Sequence, residues 1–300
     1  MEQTPYPGRS RNPGRGCYST ICYSTILKSA TSATAASSAC SSLQRMRRAI
    51  PTIAALVLAS AAKMQGAPLR QLHDPDTGLS ALFYMPPAAA EPLPLLLYLH
   101  GAGESGRELR DLISEGATGT PPVELEHGTA LPFLAKHFIV VAPQTDHGWR
   151  PAEVNKFLDF LLSSRAGLPI DAARCYVTGH SMGGGGALHA AAAKPSRWAA
   201  VVAVAPAGAP RAADLATTPV WCFHGKNDVV VPSGISEHLV QRLRTGGADE
   251  GNAKLTLYDA APAPKGWPAY DGHGSPMPAY ATPDLWRWLL EKRLGSGSAA

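Results

Sequence analysis

Val177-Thr178-Gly179-His180-Ser181-Met182-Gly183-Gly184-Gly185-Gly186 decides how the rest of the chain is read. The apolar Cys175-Tyr176-Val177 leads in, and the small-residue run Ala187-Leu188-His189-Ala190-Ala191-Ala192-Ala193 leads out. That is a strand, a tight turn and a helix, with Ser181 at the apex. Gly-x-Ser-x-Gly in this setting reads as a nucleophile elbow. So tight a turn has no room for a Cβ at Gly179 or Gly183. It holds the Ser181 hydroxyl clear of the backbone and aims the first helical amides at a bound carbonyl oxygen. Gly184, Gly185 and Gly186 each cost a helix start about 1 kcal/mol relative to Ala. Their presence implies close backbone approach by a neighbour.

Upstream, Gly78–Pro87 reads as an outer strand ending at its prolines, and 88–94 as a Pro/Ala turn. Leu95-Leu96-Leu97-Tyr98-Leu99 is a short continuous apolar run, the pattern of a parallel strand buried on both faces. It delivers His100-Gly101-Ala102-Gly103-Glu104. Glycines at a strand end leave backbone N–H groups uncovered, and beside an elbow such a loop supplies an oxyanion donor. By position, the two donors are the amides of Ala102 and Met182. His100, Gly101, Gly103 and His180 are then expected to border the substrate. Residues 105–135 read as a long loop forming one wall of the site, with at most one amphipathic helix around Arg107–Ser114. Phe138–Ala142 is the next strand. Trp149, beyond it at the same edge, either lines the pocket or packs under a loop. Pro151–Ala166 reads as a helix with one apolar stripe, Val154, Phe157, Leu158, Leu161 and Leu162.

Downstream, strands are expected at Trp198–Ala205, Pro219–Phe223 and Leu255–Tyr258, with helices ending near Arg244 and starting at Thr282-Pro283. Strands alternating with helices from residue 95 onward imply a mostly parallel sheet covered on both faces, in one domain from about 70 to 295.

Ser181 needs a base, because a hydroxyl is protonated at neutral pH. A carboxylate behind an imidazole fixes its tautomer and steadies its transient charge. With a nucleophile elbow the chain order is Ser, acid, His. Asp228 and His273 fall in loops at the carboxyl edge, where ligands bind in open α/β sheets. Asp271 and Asp259 are alternative acids in the same region. His100, His180, His189 and His224 are rivals as base, each read rather as structural or loop-bracing.

The composition, 45% hydrophobic and 17% charged, is that of a soluble enzyme. The net charge of +4 is unevenly placed: residues 1–73 hold nine Lys/Arg and one acid, Glu2, against eighteen and twenty-two thereafter. The basic excess therefore belongs to the start of the chain. No basic face with interleaved aromatics supports nucleic-acid binding. Residues 1–67 read as a targeting leader, disordered or cleaved. Their Ser/Thr/Ala/Arg-rich part resembles an organelle (plastid or mitochondrial) transit peptide. Met46-Arg47-Arg48, the apolar run Ala49–Ala59 and Ala59-Ser60-Ala61 resemble a secretory signal. A cytoplasmic location is the alternative. The apolar run is too short for a comfortable membrane span, and Pro51 interrupts it. Of five cysteines, only Cys175 and Cys222 lie outside the leader, and both read as buried free thiols. No Cys/His spacing resembles a metal site.

Three stretches, Leu97–Glu104, Val177–Gly184 and Phe223–Pro232, resemble α/β-hydrolases of the phospholipase/carboxylesterase and "predicted peptidase" group, similar to dienelactone hydrolases and feruloyl or polyhydroxybutyrate esterases. The most specific match is C-terminal: His273, Ala279-Tyr280, Pro283 and Leu285-Trp286-Arg287-Trp288. The resemblance covers residues 75–294. It implies an α/β-hydrolase fold without a large cap domain over 68–300, with Ser181 as nucleophile, Asp228 as acid and His273 as base. It implies a carboxylic ester hydrolase acting through an acyl-enzyme on a small-molecule or acyl-ester substrate, with no metal or organic cofactor. A thioesterase, a peptidase and a catalytically silent scaffold remain alternatives. The chain departs from the pattern at Pro276, where the family has Trp, and in a longer insert at Pro262–Tyr270.

Overall fold

The computed structural model describes residues 69–87, 92–106 and 108–295. The expected leader, 1–67, and most of the 88–94 turn lie outside the described residues.

Eight strands form one sheet: β1 (Arg70–His73), β2 (Ser80–Tyr84), β3 (Leu93–Leu99), β4 (Ile139–Pro143), β5 (Ile170–His180), β6 (Ala200–Val204), β7 (Val220–Gly225) and β8 (Ala253–Tyr258). Their order is β1-β2-β4-β3-β5-β6-β7-β8. β2 runs antiparallel to both its neighbours, and all other pairs are parallel. The β3 run Leu95–Leu99 is buried throughout because both of its faces are covered. Leu95, Leu97 and Leu99 join one core layer with Phe157, Val177 and Leu188. Leu96 and Tyr98 join the other with Phe138, Tyr176 and Trp286.

The helices are α1 (Pro121–Glu126), α2 (Pro132–His137), α3 (Pro151–Leu161), α4 (Met182–Ala193), α5 (Gly234–Thr245), α6 (Pro276–Tyr280) and α7 (Pro283–Glu291). Among the described residues no helix is long and apolar enough to cross a membrane.

Four details differ from the sequence reading. β1 precedes the expected first strand and takes the sheet edge, so β2 is not outermost. Its four residues are too few and too exposed for a periodic signal. The 105–135 segment holds 3₁₀ turns at Leu109–Ile113 and Glu115–Ala117 and the short helices α1 and α2, the last running on to His137, not one amphipathic helix. Pro121, Pro122 and Pro132 occupy the first turns of α1 and α2, where a missing N–H costs nothing. Helix α3 ends at Leu161, before Ala166. The Ser163 hydroxyl donates to Phe160 O (2.6 Å) and accepts the Arg165 amide, drawing the backbone out of the helix. The loop carrying His273 contains the short α6.

Strand order brings the parts of the site together. β3 and β5 are neighbours, with Tyr98 opposite Thr178 and Leu99 opposite Gly179. The glycine loop after β3 therefore leaves the sheet beside Ser181. Asp228 follows β7 and His273 follows β8, so all four loops emerge at one carboxyl edge.

Candidate active site

Ser181 sits between β5 and α4 with φ 55° and ψ −116°, in the region that non-glycine residues avoid. A conformation of this kind costs on the order of 1–3 kcal/mol and persists only where its surroundings over-determine it. Here three backbone bonds do so. Ser181 N–H donates to Val204 O (2.9 Å), and Ser181 O accepts from Gly185 (3.0 Å) and Ala207 (2.9 Å). A Cβ at Gly183 would overlap Leu99 O and lie 2.6 Å from His100 O. The later glycines have partners too. A Cβ at Gly184 would lie 2.9 Å from Val204 O, and one at Gly186 2.6 Å from the Trp149 Cβ.

His273 Nε2 lies 3.0 Å from Ser181 Oγ, and His273 Nδ1 lies 2.8 Å from Asp228 Oδ2. The carboxylate is an acceptor, so Nδ1 carries the proton and Nε2 faces the hydroxyl as an acceptor. Asp228 Oδ1 accepts the amides of Val230 and Val231, both at 2.9 Å. Burial by itself would raise the Asp228 pKa, but hydrogen bonds from His224, His273 and the Val231 amide outweigh it and hold the group well below the usual carboxylate range. The rival acids are elsewhere: Asp259 is exposed and pairs with Lys226 Nζ (2.6 Å), and Asp271 accepts from Asn227 Nδ2 (3.2 Å).

The other histidines separate by their partners. His189 is exposed on α4. His180 donates from Nε2 to His273 O (2.9 Å), and the two rings lie 4.7 Å apart. Burial, then the nearby His273 charge, push the His180 pKa down to about 3, so it stays neutral and acts as a prop under His273. His100 corrects an expectation. It is fully buried, and its ring is used up by backbone: Nδ1 donates to Gly101 O (2.7 Å) and Nε2 accepts from Thr145 N–H (3.2 Å). Burial drives its pKa down to about 4. It braces the loop, as the structural reading of this histidine had it, and both ring nitrogens are engaged by backbone rather than turned toward a ligand. Trp149 is half-buried; its indole N–H donates to His100 O (2.9 Å) and its ring meets His100 edge-on at 4.9 Å. Trp149 thus braces the same loop.

Gly101 is buried, whereas Gly103 is exposed with open space at its Cβ position. Ala102 opens a 3₁₀ turn ending at Glu104. Met182 is the first residue of α4, whose leading amides have no partner within the helix.

Two features carried no clear signal in the sequence. Glu104 is 7% exposed, and burial raises its pKa even though the Gly101 amide and its own amide stabilise the charge. The second is the set of groups behind Asp228: His224, Ser236 and the Val231 carbonyl. The Pro262–Tyr270 insert is pinned at its base, where Asn227 exchanges hydrogen bonds with Ala261 (3.0 and 2.8 Å). Lys265 Nζ reaches Glu115 Oε1 (3.1 Å), which ties the insert to the 105–135 segment.

A family model described as PET hydrolase-like matches residues 149–241, which include Ser181 and Asp228 but stop before His273. A thermostable esterase of known structure is 26% identical, with TM-score 0.57, over 75% of this chain. The chain spans 62% of that esterase's length. The chain has the α/β-hydrolase fold. Within that fold its likeness runs to the carboxylesterase group. A Klebsiella pneumoniae protein named as a dienelactone hydrolase (18% identity, TM-score 0.54) aligns over 74% of this chain and 98% of its own. A ferulic acid esterase (15%, TM-score 0.52) aligns over 74% and 97%. At those identities the likeness is one of fold. No curated protein sequence matches the chain significantly.

Proposed function

We propose that this α/β-hydrolase cleaves carboxylic esters of small molecules through an acyl-enzyme. Ser181 Oγ attacks the acyl carbonyl while His273 Nε2 takes its proton. Asp228 holds the His273 tautomer and stabilises the imidazolium that forms. The amides of Ala102 and Met182 bind the oxyanion, the group whose loss typically costs about 100- to 1000-fold in rate. His273 then donates its proton to the leaving alcohol, and a water activated by the same imidazole releases the acid.

The observation that carries this reading is the unbroken Ser181–His273–Asp228 relay, at 3.0 and 2.8 Å, below a strained serine. The test is hydrolysis of p-nitrophenyl esters from C2 to C16 by the full chain and by Ser181→Ala, alongside labelling with a serine-reactive phosphonate. Turnover and labelling that both vanish in Ser181→Ala are expected. Equal turnover in the two proteins refutes the nucleophile assignment, and a wild-type chain that neither labels nor turns over refutes the enzyme reading.

A further inference from the structure

Against Asp228 lies a second imidazole that the chemistry above does not use. His224, the fifth residue of β7, is 0% exposed, and so is the Asp228 side chain. His224 Nε2 lies 3.0 Å from Val231 O and 3.4 Å from Asp228 Oδ2. Both neighbours are acceptors, so Nε2 carries a proton. His224 Nδ1 lies 2.8 Å from the hydroxyl of Ser236 on α5, itself fully buried, which donates to it. Asp228 Oδ2 is thus shared by two imidazole N–H groups, His273 Nδ1–H and His224 Nε2–H. Oδ1 is held by two backbone amides. Among the described residues no Lys or Arg pairs with Asp228, and the donors that hold it are imidazole and backbone N–H groups.

We propose that His224, oriented by Ser236, is a positioning residue for the Asp228 carboxylate: it fixes the oxygen that His273 uses and anchors the Val229–Val231 turn through the Val231 carbonyl. The proposal rests on the roles given above to Ser181, His273 and Asp228. Without His224, Oδ2 keeps a single side-chain donor, the carboxylate loses one of the four N–H groups that hold it, and the Val231 carbonyl loses its partner. The other titratable groups nearby are His180 from the elbow, Glu104 facing His273 from the oxyanion turn, and Cys222 beside Ser236 on β7. None of the three is hydrogen-bonded to Asp228, and His180 already gives its Nε2–H to His273 O.

The variants are His224→Phe, which keeps the ring volume, His224→Gln, whose amide N–H reaches toward the Nε2 position, and Ser236→Ala, all in the full chain. Two readouts are taken on each folded protein: kcat and KM on a p-nitrophenyl ester, and the low-field imidazole N–H proton resonance of the His273–Asp228 bond, assigned by its loss in His273→Gln. His224→Phe is expected to lower kcat by about 10- to 100-fold, the effect of one charge-assisted hydrogen bond, with KM nearly unchanged. The low-field line should shift or broaden. His224→Gln should recover most of kcat and restore the line, and Ser236→Ala should fall between. A folded His224→Phe with unchanged kcat and an unchanged line overturns the proposal, and so does an equal loss in Gln and Phe. If His224→Phe does not fold, Ser236→Ala decides, and an unchanged line there overturns it. If the wild-type chain hydrolyses no ester, the functional reading fails separately, and the resonance alone judges His224.

Discussion

Lowering the pH from 7 to 5 should remove about 2 kcal/mol of folding free energy through His100 alone. The ring is fully buried, with Nδ1 bonded to Gly101 O and Nε2 accepting from Thr145. Its native pKa is about 4, against 6.5 ordinarily. Between those values the unfolded chain binds a proton that the native state refuses, so stability falls as pH drops. The loss begins near pH 6.5 and levels off near pH 4. Each pH unit within that window costs about 1.4 kcal/mol, which gives about 2 kcal/mol at pH 5. That is a large part of a typical stability of roughly 5–15 kcal/mol. The assay is urea unfolding of the full chain at pH 7 and pH 5, for wild type and His100→Asn. Asn does not titrate, yet still offers an N–H toward Gly101 O. It loses the Thr145 bond at both pH values, so that offset cancels in the difference. Wild type should lose about 2 kcal/mol more between the two pH values than His100→Asn. Equal losses would refute the claim that His100 is held neutral by burial.

Other expectations follow from single contacts. Gly183→Ala should abolish soluble expression or cost more than about 3 kcal/mol, because its Cβ has nowhere to go between β3 and α4; a normal melting curve would contradict the elbow packing. Tyr280→Phe removes a buried 2.8 Å bond to Thr178 and should destabilise by about 1–3 kcal/mol in denaturant titration. Cys175 and Cys222 are buried, and burial pushes both thiols up to about 12. They should therefore resist a thiol reagent at pH 8 until denaturant is added, as peptide mapping of the labelled sites would show.

Much of this site was legible in residue order because it depends on short-range chemistry. Gly179 and Gly183 announce a turn too tight for side chains, and that requirement is visible within five residues. Leu95–Leu99 announces a two-sided buried strand. Chain order and the family resemblance pointed to Asp228 and His273, but the contact between them, and what occupies Asp259 and Asp271, needed the third dimension. The partners lie 45 residues apart, and Asp259 turned out to face solvent and Lys226. His100 shows the opposite case. Its place in the glycine motif suggested contact with substrate, but Thr145 and Trp149 arrive from the neighbouring edge of the sheet and claim the ring and its carbonyl.

From sequence alone came the alternating α/β plan, the tight turn with Ser181 at its apex and the loops that carry its partners, since periodicity, glycines and prolines act on the nearest few residues. Strand order required the folded chain. It sets β3 beside β5 and so brings Gly101–Glu104 against the elbow. It also surrounds Asp228 with two imidazoles and two amides. Such contacts are chosen by the packing of the whole sheet, and no local run of residues encodes which distant group will fill a buried carboxylate's last acceptor site.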